Sequence, residues 1–151
     1  MEGFFVFVFY IYIMKNRIYL FEDFLLEKRI GQISANVEIR FGFDIIKTSH
    51  ATTQADFSKR GLQGDNQNHI SNLEIKEFVL YFIKDIASAI ATGEIVDQDN
   101  FVIRSVDREM SIPIVAVEIS KTYWQLVVKT VFRESNFNQL KIAKDQLVFD
   151  K

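Results

Sequence analysis

Cysteine is absent from the 151 residues, which excludes disulfides and thiolate chemistry and suits a reducing compartment such as the cytoplasm. Histidine occurs only at His50 and His69. A zinc site would need both plus carboxylates, and no such spacing occurs. Proline is found once, at Pro113. No glycine-rich phosphate loop, nucleophile elbow, HExxH or paired-cysteine pattern is present, so no cofactor is expected. Asp56 and Glu74 flank a loop without forming a metal-dependent nuclease motif. Net charge is also small: −2 gives no global field for capturing polyanions, so any such binding must be local.

The charge that is there is uneven. Residues 71–99 hold an acidic excess (Glu74, Glu77, Asp85, Glu94, Asp97 and Asp99 against Lys76 and Lys84). Residues 121–144 are basic (Lys121, Lys129, Arg133, Lys141 and Lys144 against Glu134). Intramolecular pairing and a basic binding face are both compatible with this.

At this length a single domain with a real core is expected. The apolar run FFVFVFYIYI at 4–13 is too short to span a bilayer as a helix and lacks signal-peptide flanks, so no membrane association is expected. Either it is a buried or partner-paired strand, or it lies upstream of a true start at Met14. The second reading is preferred, leaving residues 14–151 as the domain and 1–13 as an extension.

Spacing of Ile18, Phe21, Leu25 and Ile30 predicts a helix over 15–29 with Gly31 as its stop. NVEIRFGFDII alternates, with Val37, Ile39, Phe41, Phe43 and Ile45 on one face, and reads as a half-buried strand. HATTQADFSKRGLQ follows as a short helix closing near Gly61, then GDNQNH as a polar loop. Ser71 and Glu74 form a capping-box pattern opening a helix over 72–92, with Gly93 at its C′ position. Three strands are read after it, at 100–106, 111–119 and 123–133, and then a weakly helical tail after Phe137. Order and period together predict an α+β domain. Helices would pack on one face of a mainly antiparallel sheet ending in a three-stranded meander.

Chemistry concentrates in basic and hydroxyl side chains. His50 sits where strand hands over to helix, and an imidazole can act as general acid or base near neutral pH. Lys59 and Arg60 lie about three helical turns on. In a regular final strand Lys129 and Arg133 share a face roughly 13 Å apart. With Arg104 they could grip a phosphate backbone, although an ordinary solvated face is the alternative. Tyr123 and Phe57 could stack on bases. His69 is a loop residue or a second proton-transfer partner.

The order of a histidine at a helix start, a nearby arginine, a long amphipathic helix and a final VVKTVFR strand resembles the small metal-independent endoribonucleases of the barnase/RelE-type fold. It is closest to phage-encoded RegB-like and toxin-like members. The resemblance spans roughly residues 36–137 and rests on element order and short fragments. It implies that His50 is the catalytic histidine and Arg60 the arginine of the same helix, with Thr130 and Arg133 the polar residues of the last strand. Single-stranded RNA would be cut by attack of a ribose 2′-OH on the adjacent phosphate, without metal. RegB-like proteins carry a second histidine in that helix, and none lies between His50 and Arg60. His69 or another group then takes the second transfer, or the copy is inactive. The rival expectation is a non-catalytic phage accessory protein that binds a host protein or RNA through its sheet. A third is a toxin-like domain whose inhibitor covers the same face.

Overall fold

The computed structural model describes residues 28–56, 70–133 and 145–151. Its elements are strands β1 (Lys28–Asn36) and β2 (Arg40–Lys47), helices α1 (Ser49–Asp56) and α2 (Asn72–Ala91), and strands β3 (Asn100–Ser105), β4 (Met110–Ser120), β5 (Tyr123–Val128) and β6 (Leu147–Asp150). The class is α+β, as expected. Among the described residues no helix is long and apolar enough to cross a membrane.

Alternation decides β2. Phe41, Phe43 and Ile45 are buried while Gly42, Asp44 and Ile46 between them are half-buried, the signature of a pleated strand. Helix α2 supplies the matching surface. Its buried Ile75, Phe78, Val79, Phe82, Ile83 and Ile86 share one cluster with Phe41, Phe43, Ile45, Phe101, Ile114 and Leu126 of the sheet. The Ser71 hydroxyl caps α2 by accepting from Glu74 N at 3.1 Å. Gly93, at φ +80°, receives the chain in the left-handed conformation that suits glycine after a helix.

The sheet is six-stranded and mixed, in the order β1-β2-β5-β4-β3-β6. β1/β2, β5/β4 and β4/β3 pair antiparallel; β2/β5 and β3/β6 pair parallel. Most pairs are thus antiparallel, as expected, but two parallel pairs make the sheet mixed, and β6 extends it beyond β3. Short turns give antiparallel neighbours, but β2 reaches β5 only through a long crossover holding both helices and two strands.

The sheet centre is buried on both faces. Val102, Val115, Val117 and Val127 point away from the main cluster and are still buried. That explains why β4 reads IPIVAV rather than a clean alternation, and it corrects the picture of a solvated outer face there.

Three further expectations fall differently. Residues 28–29 and Gly31, expected as a helix end and its stop, lie within β1. β1 has only Ile30, Ile33 and Ala35 as its inward signal, out of strict alternation, and pairing with β2 overrides the helical spacing that precedes it. Val37 and Ile39, placed on the strand, form the β1–β2 connection, and Ile39 is 48% exposed. Residues 147–150, expected in a helical tail, form β6. The rest of the 15–29 helix, the 4–13 run, the end of the helix near Gly61, and Phe57, Lys59, Arg60 and His69 lie outside the described residues.

Candidate functional site

Because β2 and β5 are parallel, they finish side by side, with Lys47 opposite Val128. β3 runs the same way as β5 through two antiparallel steps. The ends of β2, β5 and β3 therefore lie along one end of the sheet. β2 leaves this end through Thr48 into α1, where His50 is the second residue and is exposed. β5 leaves it through Lys129 and Thr130.

Thr48 joins the two exits. Its hydroxyl accepts from Ala51 N at 3.1 Å, capping α1, and donates to Lys129 O at 3.1 Å. Its amide donates to Val128 O at 3.2 Å. One buried side chain thus fixes the start of the His50 helix against the end of β5. Sequence reasoning missed Thr48, although threonine just before a helix is a cap signal. Thr48→Val should cost about 1–2 kcal/mol, read as a lower urea midpoint, because it strands both the Ala51 N–H and one bond of the Lys129 carbonyl.

Beyond Val128 the strand slips phase. Ile114 pairs with Val128, but Ser111 bridges Phe132, so three residue steps on β4 face four on the departing chain. This is a β-bulge around Lys129–Val131. Val131 consequently joins the main core with no exposure, and Arg133 turns toward α2. There Arg133 Nη2 meets Glu74 Oε2 at 2.7 Å, with the arginine side chain 18% exposed. The pair borders a cavity of about 300 Å³ also lined by Glu77, Phe78, Arg108 and Met110. Arg133 therefore does not share the Lys129 face, contrary to the regular-strand expectation.

Arg104 of β3 lies near the same end of the sheet, opposite Ser111 of β4, and its Nε donates to Asp150 at 2.9 Å. Two strand spacings, about 10 Å, separate it from the Phe132 position. Lys129 is exposed and Thr130 half-buried.

Tyr123 does not join them. It opens β5, at the far end of the strand, about 17 Å from Val128. It belongs to a separate polar group in which Gln32 Nε2 donates to its hydroxyl at 2.8 Å and Arg29 pairs with Asp44 at 2.7 Å. A Cβ at Gly42 would sit 3.0 Å from the Tyr123 ring, so glycine there makes room for the ring. Partial burial, and then the neighbouring Asp44 carboxylate that accepts its hydrogen bond, raise the Tyr123 phenol above its ordinary value of 10.0. A phenol held protonated by folding contributes stability that is full below pH 10 and lost as pH rises through the raised value. Absorbance titration at 295 nm should show a late-titrating component that is lost in Tyr123→Phe.

Among the described residues no three of His, Asp and Glu gather as metal ligands. Comparison with family models, with curated proteins and with solved structures yields no match.

Proposed function

We propose that the protein is a metal-independent endoribonuclease that cuts single-stranded RNA by 2′-OH transphosphorylation, a phage- or toxin-like enzyme working in the cytoplasm. The observation that carries this reading is the parallel β2/β5 exit, where the Thr48 hydroxyl holds the His50 helix against Lys129 and Thr130. His50 relays the proton from the 2′-OH, and Lys129 and Thr130 hold the scissile phosphate. Arg60, Lys59 and Arg104 add positive charge along the strand, and Arg133 joins once it exchanges Glu74 for phosphate. Fixed cations facing a developing phosphorane are commonly the largest catalytic contribution. Tyr123 serves as a distant stacking contact on the RNA. The finer architecture belongs to the same reading: helices on one face, with the β3–β5 meander as the RNA-facing scaffold.

The test is incubation of the pure chain with mixed-sequence single-stranded RNA in EDTA. Fragments ending in 2′,3′-cyclic phosphate and beginning with 5′-OH are expected. Intact RNA with folded protein would sink the reading.

The ion pairs Arg133–Glu74 and Arg104–Asp150 favour a second reading, because both arginines already have carboxylate partners. In it the protein is a non-catalytic accessory factor that binds a host protein or RNA through its sheet. Binding of RNA without cleavage, or capture of a protein by the same face, distinguishes it.

A further inference from the structure

The two edges of the sheet both border one groove over α2. Its walls include Ser34, Ala35 and Asn36 of β1, Leu80 and Lys84 of α2, and Lys151 just past β6, and its volume is about 720 Å³. That falls within the range of sites that accept a ligand, about 300–1,000 Å³. Among the described residues β1 has a strand partner, β2, on one side only, and an unpaired strand edge offers its backbone groups for pairing.

A line of positive charge runs along α2 past the groove, whose lining holds Leu80 and Lys84, with Lys76 one turn beyond it. Lys76, Leu80 and Lys84 recur every four residues on α2 and so share a stripe. A Cβ at Gly31 would lie 3.1 Å from Lys76 Nζ, which places that ammonium against β1. Among the described residues neither Lys76 nor Lys84 has an ion-pair partner, while the one carboxylate in the groove, Asp85, is already held by Lys151 at 2.9 Å. Between the two lysines, Leu80 is 48% exposed.

The spacing matches an extended chain. Eight residues of helix separate Lys76 from Lys84, about 12 Å of rise. Four residues of strand cover about 13 Å. Side chains four apart on a strand share a face, and the one midway between them faces the same way.

We propose that this groove docks an acidic partner peptide in extended form, added as a strand to the free edge of β1. Two carboxylates about four residues apart would meet Lys76 and Lys84, and an apolar side chain midway would cover Leu80. Main-chain pairing supplies affinity and the lysines supply register. This site is separate from the proposed nuclease end and does not depend on it.

The probe is a fluorescein-labelled peptide of about nine residues, rich in threonine and valine, with two glutamates four apart around a central valine. Fluorescence anisotropy with the full chain is expected to show saturable binding, and hydrogen exchange should show new protection in β1. The double variant Lys76→Glu/Lys84→Glu changes exposed or half-buried positions, and its fold is checked by circular dichroism. It should bind at least about tenfold more weakly and should prefer a peptide with lysines in place of the glutamates. No saturable binding to the wild-type chain overturns the proposal, as does equal affinity for the variant. Sedimentation showing dimers with the same β1 amides protected before peptide is added would assign the groove to a second copy of the chain and would equally overturn it.

Discussion

Phe82→Ala is expected to lower the free energy of unfolding by about 3–5 kcal/mol. Phe82 has no exposure and stands edge-on to Phe78 and to Tyr81, each at 5.2 Å between centroids. It sits in the row of α2 that meets the sheet, so truncation removes buried ring area and leaves a void between two rigid elements that cannot easily collapse. Domains of this kind have about 5–15 kcal/mol in total, so about a fifth or more of the stability should go. The measurement is a urea melt, with a lower midpoint and an unchanged slope. Leu80→Ala, two residues away but exposed, should change stability by no more than about 0.5 kcal/mol. Equal effects of the two would mean that α2 does not present this face to the sheet.

His50→Ala should reduce RNA cleavage by about 10²–10⁴-fold, the usual contribution of a positioned acid–base group, while leaving stability nearly unchanged. The second half of that statement follows from its place: an exposed side chain near the start of α1, replaced by a good helix former. RNA affinity should persist, because the charges proposed to hold the phosphate come from other residues. Single-turnover cleavage, filter binding and a urea melt on the same preparation separate the three effects. A variant that binds and cleaves as the wild type does would remove His50 from the mechanism. One that loses binding and cleavage together would make it a contact rather than a proton carrier.

The parts legible in the sequence are those whose signal is local. The Ser71 cap, the apolar stripe of α2 and Gly93 lie within one stretch, each with its own chemistry. The alternation from Phe41 to Ile45 needed no partner to be read. β1 was hidden because its inward residues, Ile30, Ile33 and Ala35, do not alternate strictly, and the strand exists by virtue of β2 beside it. The four residues of β6 are similarly held by pairing with β3. Parallel pairing of β2 with β5 has no local mark at all, since it joins residues about eighty positions apart. His50 was correctly placed at a strand-to-helix handover. Its neighbour Thr48 was not, because capping and the bond to Lys129 become visible together only when β5 is alongside. The phase slip after Val128 escaped for a related reason: VVKTVFR alternates equally well with or without a bulge, and only the bridge from Ser111 to Phe132 decides the facing of Arg133.

The β2/β5 pairing also has a consequence for synthesis. The β1–β2 hairpin is complete once Lys47 has been made, but the other edge of β2 has no strand until Val128 arrives. At about 5–20 residues per second that wait is roughly 4–16 s. Throughout it, a strand carrying Phe41, Phe43 and Ile45 presents an unpaired edge, the arrangement most prone to pairing with a neighbouring chain. In refolding the synthesis delay is absent, but the long crossover still makes the central pair a late, non-local contact. Yield from concentrated refolding mixtures is therefore expected to fall with chain concentration, through association at the edge of β2 while the middle of the sheet is open.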